Sequence, residues 1–281
     1  MICIVLAAGY AMRMYPLTEN FPKPLLKVQG KPILNWLLED VDRIPQVEQV
    51  LVVSNHKFAG VFEAWLREQS FRKPIRLLDD GSLTNETRVG AVRDISVALA
   101  AVGEKVEGGK ERTKHGHDLG KVSQEFKAVG SAEEAKLPGA LVLAGDNVLE
   151  FSLQGFVDFY QARLQSCIMC YQEPSLERRR KTGIITLTGA GKVTSFEEKP
   201  AEPKSNWAVP PFYCYTVSDL RRIPEAVAAG CSTDAPGSLA AWLSVHSEVY
   251  AWPMPGRRYD IGSIAGYEDV QKLYHPPVGR V

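Results

Sequence analysis

The 281-residue sequence has no net charge and no long apolar run, and each absence excludes a class of protein. Lysine plus arginine and aspartate plus glutamate number 33 each, so bulk charge gives no reason to expect binding to nucleic acid or to an anionic membrane. No apolar stretch approaches the ~20 residues that a membrane-spanning helix needs. The apolar run at residues 2–6 has no positive leader and is too short for a secretory signal. We therefore expect a soluble cytoplasmic protein.

Cysteine is also scarce, since the sequence has five scattered cysteines, mostly in apolar surroundings. An odd number of this kind is typical of buried thiols in a reducing compartment. Cys167 and Cys170 have the spacing of redox and metal sites, but they lie in an apolar run that predicts a strand. Residues three apart on a strand point to opposite faces, so we expect neither a metal nor a redox site there.

Two common phosphate-binding motifs are missing as well. The sequence has no Gly-Lys-Ser/Thr ending of a Walker loop, and Gly9 alone does not supply the spaced glycines of a dinucleotide-binding fold. No Ser-His or Cys-His arrangement indicates a covalent nucleophile.

Short buried-strand runs at residues 2–6, 50–53 and 75–78 alternate with helical spacing at 34–41 and 58–66. This order predicts an α/β fold with a doubly wound, mostly parallel, Rossmann-like sheet and helices on both faces. After residue 183 the pattern turns to β, with a hairpin and one strand over 207–217.

We expect a single domain over residues 1–281, with a polar insertion at 103–138 between halves at 1–102 and 139–281. The insertion is rich in Lys, Glu and Gly, and this composition predicts an excursion of the chain or an added helical hairpin. A contact between subunits of a homo-oligomer at this insertion is a further alternative. Its histidines, His115 and His117, are expected to be solvated rather than metal-bound.

Several motifs fall where strands end, which is where open α/β sheets bind ligands. The small residues Ala8 and Gly9 follow the first strand, Arg13 lies within reach, and prolines on both sides of Lys23 predict a stiff, extended backbone there. Asp146 ends a later buried strand, where it suits a hard divalent cation or a turn equally well.

Together these segments resemble the N-terminal signature of the sugar-1-phosphate nucleotidyltransferases. The matching residues are Gly9, Arg13, Pro16-Leu17-Thr18, Pro22-Lys23-Pro24-Leu25, Gly30-Lys31-Pro32-Ile33, and then, in the family's order, Gly145-Asp146-Asn147, Glu197-Glu198-Lys199-Pro200 and Asp260-Ile261-Gly262. The chain departs from the family at Tyr10-Ala11-Met12, where many members have further glycines and a Thr, and at Arg258 and Ser263, which replace a Trp and a Thr.

The resemblance implies a role for each matching position. Arg13 would hold the departing phosphates, Lys23 would stabilise charge near the α-phosphate, and Lys199 would anchor the sugar phosphate. Asp146 and Asp260 would be the ligands of a Mg²⁺ cofactor. The substrate-binding residues would be Ala8, Gly9, Asn85, Thr87, Gly90, Asn147, Gly183, Glu198 and Val209, the last three in a smaller β-rich, sugar-binding portion.

The implied reaction joins a nucleoside triphosphate and a sugar 1-phosphate to give a nucleotide sugar and pyrophosphate. The length most resembles the short glucose-1-phosphate thymidylyltransferase type, with a uridylyltransferase close behind. A choline-phosphate cytidylyltransferase and a non-catalytic, regulatory nucleotide-sugar-binding relative are the alternatives. The altered loop and the substituted ends around Asp260 favour the regulatory relative, whereas retention of both aspartates and both lysines favours the enzyme.

Overall fold

The computed structural model describes residues 1–102 and 139–276. The expectations for the insertion, including those for His115 and His117, lie outside the described residues. No helix in the two described ranges combines the length and apolarity that crossing a membrane requires.

Strands and helices alternate through most of the described chain. The strands are β1 (Ile2–Leu6), β2 (Lys27–Val28), β3 (Lys31–Pro32), β4 (Gln49–Ser54), β5 (Ile75–Asp79), β6 (Ala140–Ala144), β7 (Asn147–Leu149), β8 (Ser166–Gln172), β9 (Gly183–Leu187), β10 (Val193–Glu198), β11 (Trp207–Val209), β12 (Phe212–Tyr215), β13 (Val249–Pro253) and β14 (Arg258–Asp260). The helices are α1 (Ile33–Val41), α2 (Ala59–Arg67), α3 (Ala91–Val102), α4 (Gln154–Arg163), α5 (Leu176–Arg179), α6 (Val217–Leu220), α7 (Ile223–Ala228), α8 (Gly237–His246) and α9 (Ile264–Leu273).

Within the described residues, ten strands form one sheet in the order β10-β9-β11-β8-β12-β6-β1-β4-β5, with β13 paired alongside β8. Strands β6, β1, β4 and β5 are parallel, and β12 enters antiparallel between β6 and β8. The predicted Rossmann-like α/β fold is therefore confirmed.

The core lies on both faces of this sheet because successive strand residues point to opposite sides. On β1, Cys3 and Val5 pack in a cluster with Leu37 of α1, whereas Ile4 packs with Ile95 of α3. Phe156 of α4 joins the first cluster. Helices thus cover both faces, as the alternation predicts.

Two local expectations are wrong. The stretch 207–217 is two strands rather than one, because Pro210 and Pro211 separate β11 from β12 and cannot donate ladder hydrogen bonds. Lys23 is not extended: it begins a 3₁₀ turn, Lys23–Leu25, closed by a hydrogen bond from Leu25 N to Pro22 O at 3.0 Å. Pro24 is tolerated because the first turn of a helix needs no N–H there.

Candidate active site

The carboxyl ends of β1 and β6 meet at one edge of the sheet. Gly145 N donates to Leu6 O at 2.9 Å, and Ala7 N donates to Val53 O at 2.8 Å. The loop after β1 and the loop containing Asp146 therefore start side by side, at the position where parallel sheets bind ligands.

The loop after β1 is held by contacts that its own sequence does not show. Buried Asn55 donates from Nδ2 to Ala8 O at 2.9 Å, and its Oδ1 accepts from Phe58 N at 3.0 Å. Thr18 donates to Ala11 O at 2.8 Å. Arg13 follows in a 3₁₀ turn, Met12–Met14, where it is exposed beside the loop.

A cavity of about 380 Å³ opens between this loop and the segment after β5. It brings together five of the predicted site residues, Ala8, Gly9, Arg13, Asn85 and Gly90. Thr87 is not among the lining residues, because its backbone N–H and hydroxyl close a capping box with Thr84. The structure thus gives Thr87 a local structural role.

Gly90 is fixed by a close backbone approach. Its φ is +94°, and a methyl group on it would lie 2.5 Å from Thr233 O. The first amides of α3 donate to the same segment, Ala91 N to Asp234 O at 3.3 Å and Val92 N to Thr233 O at 3.0 Å. This packing is by itself a sufficient reason for glycine at position 90.

Three carboxyl groups that no sequence motif singles out also line the cavity, Asp80, Asp94 and Asp234. Asp234 accepts from Arg88 Nε at 2.7 Å, and this hydrogen bond lowers the pKa of Asp234. Asp80 accepts from the backbone N–H and the hydroxyl of Ser82, both at 2.7 Å. Burial nevertheless raises the pKa of Asp80 above its usual value.

Lys23 and Asp146 meet at the end of β6. Lys23 Nζ forms an ion pair with Asp146 Oδ2, and Asn147 Nδ2 donates to Asp146 Oδ1 at 2.7 Å. Arg258 Nη1 donates in turn to Asn147 Oδ1 at 2.5 Å. Asn147 is fully buried, so it orients the Asp146 carboxylate. Arg258 in turn holds Asn147 in place.

Asp260 lies directly beside this cluster, because β14 pairs with β7 and places Asp260 opposite Asn147. Within residues 1–102 and 139–276 the Asp260 carboxylate is exposed and has no hydrogen-bond or ion-pair partner, and no group of three metal-binding side chains occurs. Two carboxylates fit Mg²⁺, which binds proteins through one or two of them and takes its other ligands from water and substrate phosphates.

The predicted sugar-site residues form a row across three strands. Gly183 of β9 pairs with Glu198 of β10 on one side and with Val209 of β11 on the other. A methyl group on Gly183 would lie 2.6 Å from the Phe196 ring and 3.1 Å from Glu198 Oε2, so any larger residue would have to displace the Phe196 ring. Burial raises the pKa of Glu198. Lys199 follows exposed, at a positive φ of 49°.

The Cys-x-x-Cys pair, Cys167 and Cys170, lacks the exposed, reactive thiols of a redox or metal site. Cys167 and Cys170 are buried within β8, and burial raises the pKa of each thiol to about 12. Buried thiols of this kind are inert.

The comparison of the sequence with known protein families agrees with this fold. Residues 2–275 match the nucleotidyl transferase family, and the chain belongs to that family.

Its relatives include a glucose-1-phosphate adenylyltransferase of Fervidobacterium nodosum, 23% identical over 275 residues, which cover 95% of this chain and 59% of that protein. This chain thus spans less than two thirds of that relative. A solved structure described as a glucose-1-phosphate thymidylyltransferase from Bacillus anthracis, in complex with sucrose, has a TM-score of 0.73 at 18% identity and covers 97% of this chain and 94% of that chain. UDP-glucose pyrophosphorylase complexed with UDP-glucose has a TM-score of 0.72 at 19% identity, with 98% of both chains covered.

Proposed function

We propose that this chain transfers a nucleotidyl group from a nucleoside triphosphate to a sugar 1-phosphate and releases pyrophosphate. The observation that carries the proposal is the cluster of Lys23, Asp146 and Asp260 at the carboxyl edge of the sheet. The nucleotide-sized cavity begins at the adjacent end of β1.

The sugar row lies on the other side of this cluster in the sheet order. Val142 of β6 and Ile168 of β8 are both level with Tyr213 of β12. Two residues further along, β6 reaches Ala144 and β8 reaches Cys170. On the other side of β8, Ala208 of β11 pairs with Tyr171, so the next residue of β11, Val209, is level with Cys170. The row containing Gly183 and Glu198 is therefore level with the end of β6, so both substrates fit along one edge.

The chemistry required is the approach of two polyanions, and positioning with electrostatic stabilisation does most of such catalysis. Arg13 would hold the departing β- and γ-phosphates at the mouth of the cavity. Lys23 would stabilise negative charge near the α-phosphate, and Lys199 would hold the attacking sugar phosphate. Glu198 would bind sugar hydroxyls.

Asp146 and Asp260 would hold Mg²⁺, with Asn147 keeping the Asp146 carboxylate oriented. Bound there, Mg²⁺ would neutralise charge on the phosphates of the two substrates. Where no cation is bound, the ion pair with Lys23 offsets the charge of Asp146. This ion pair is largely buried, with side-chain exposures of 14% for Lys23 and 26% for Asp146.

Asp146→Asn tests the metal site. We expect pyrophosphate release to fall about 10²- to 10³-fold with the fold retained, because the change removes charge with little change in shape. Asp269→Asn, the same change on an exposed position of α9, is the matched control. Near-normal release by the Asp146 variant at ordinary magnesium concentration would contradict the assignment.

Lys199→Ala tests the sugar-phosphate site. The KM for the sugar 1-phosphate should rise about 10- to 100-fold, as expected when a charged hydrogen-bond donor is lost, with a smaller effect on the KM for the nucleotide. Lys181→Ala, which removes an exposed lysine paired with Glu177, should change neither constant. Equal sugar-phosphate dependence in the Lys199 variant and the wild type would refute this role.

The solved neighbours are named for thymidylyl transfer and for UDP-glucose, whereas the curated relative is named for adenylyl transfer, so the base is left to experiment. The assay therefore uses ATP, CTP, GTP, UTP and dTTP against several sugar 1-phosphates and choline phosphate. Release that depends on both substrates would establish the reaction. Binding without turnover across the whole panel would favour the regulatory alternative.

A further inference from the structure

Asp94 is a buried carboxyl group that the proposed chemistry leaves unused. It lies in the first turn of α3 and lines the cavity, with only 5% of its surface exposed. Its Oδ1 is buried and has no hydrogen-bond partner among the described residues. Leaving such a group unpaired is costly, so a ligand in the cavity that donates a hydrogen bond would recover that cost.

The neighbouring polar groups are already engaged, which makes Asp94 the carboxyl group available to a ligand. Asp80 accepts from Ser82, and Ser82 Oγ also lies 3.1 Å from the Tyr10 hydroxyl. Asp234 is paired with Arg88.

The charges fix the direction in which a nucleotide would lie in this cavity. Gly9 and Arg13 line one part of it and suit the triphosphate, whereas the Asp80 and Asp94 carboxyl groups would repel phosphates. The base or the ribose must therefore lie beside Asp94. The apolar side chains of Leu6, Ala8 and Ala91 also line the cavity, as suits a planar base.

We infer that Asp94 accepts a hydrogen bond from the exocyclic amino group of the nucleobase, and that the site selects adenine, cytosine or guanine nucleotides over thymine and uracil nucleotides. The inference rests on the proposed function, and it departs from the thymidylyl or uridylyl transfer that the resemblance implies. Adenine, cytosine and guanine carry an exocyclic amino group that can donate to an ionised Asp94, whereas thymine and uracil carry only carbonyl oxygens as exocyclic polar groups and could donate to it solely through the ring N3–H. Burial and the nearby Asp80 carboxylate raise the pKa of Asp94 well above its usual value, and an amino donor would partly offset that.

The test measures binding and turnover separately. Calorimetric titration with ATP, dATP, CTP, GTP, UTP and dTTP, without sugar phosphate, gives dissociation constants that need no catalysis. We expect at least one amino-bearing nucleotide to bind about 10-fold or more tightly than UTP and dTTP. In Asp94→Asn that ratio should fall about 10-fold. Ser96→Ala, which changes a buried polar residue of the same helix outside the cavity lining, should leave it unchanged.

Four results would overturn the inference. The first is that UTP or dTTP binds the wild type as tightly as every amino-bearing nucleotide does, and the second is that Asp94→Asn does not alter the preference. The third is that the wild type binds no nucleotide, and the fourth is that Asp94→Asn changes only the ratio of the ATP and dATP dissociation constants. The last result would place the ribose at Asp94. Circular dichroism of the variant confirms that it is folded.

Failure of the proposed function and failure of this inference give different results. If amino-bearing nucleotides bind in an Asp94-dependent way but no sugar 1-phosphate yields pyrophosphate, the inference stands and the transferase assignment falls. If pyrophosphate is released best with UTP or dTTP, the transferase stands and the inference falls.

Discussion

At the scale of single residues, Asp94 shows how a candidate binding group is kept at the expense of stability. Burial holds its pKa well above the unfolded value, so the folded chain binds more protons than the unfolded chain between those two pKa values. Stability from this residue is therefore fully present below the unfolded pKa, near 4, and is lost as the pH rises.

Asp94→Asn removes that titration. We expect the variant to be more stable than the wild type by about 1–3 kcal/mol at pH 7–8, and the difference to shrink as the pH approaches 4. Urea unfolding at a series of pH values measures it.

Asp219→Asn is the control for this prediction. Asp219 is also buried, but it accepts hydrogen bonds from Ser166 and Ser247, so its replacement should destabilise the protein at pH 7. A constant difference between Asp94→Asn and the wild type from pH 4 to pH 8 would show that Asp94 does not titrate in this way.

At the scale of structural elements, the loop after β1 makes its tight turn at an alanine, Ala11. Ala11 adopts the left-handed conformation, with φ 48° and ψ 40°, and Thr18 holds its carbonyl. A residue with a Cβ is strained in that region, whereas glycine is not.

Ala11→Gly should therefore stabilise the fold by about 0.5–1 kcal/mol, the relieved strain being partly offset by the greater chain entropy of glycine. Thermal or urea unfolding measures the change. Ala265→Gly, at an exposed position inside α9, should have the opposite sign, with a loss of about 1 kcal/mol. If both variants lose stability equally, the loop is not strained at Ala11.

The elements themselves could be predicted because their signals are local. The helical spacing of α1 and the apolar run of β1 are visible within a few residues. The turn at Lys23 was not predictable from its flanking prolines alone, because prolines occur both in extended segments and in the first turn of a helix. Asn55 and Asp94 escaped prediction for another reason: their importance depends on contacts with chain distant in sequence, such as Ala8, 47 residues from Asn55.

At the scale of the whole molecule, one sheet joins the chain on either side of residues 103–138. Strand β1 pairs with β4 along one edge and with β6 along the other, over five residue pairs each. Leu51 of β4 and Ile168 of β8 belong to the same core cluster. Neither half can keep its core covered without the other, which supports the expectation of a single domain.

We therefore predict one cooperative unfolding transition. Amide hydrogen exchange in increasing urea should give β4 and β8 the same opening free energy, because both open only in global unfolding. The sharper test is Ile168→Val, which removes a fully buried methyl group from β8. It should lower the opening free energy of β4 amides by the same ~0.5–1.5 kcal/mol as those of β8. If the loss is confined to β8, the two halves unfold separately, and nucleotide binding beside β1 would then stabilise only the first half.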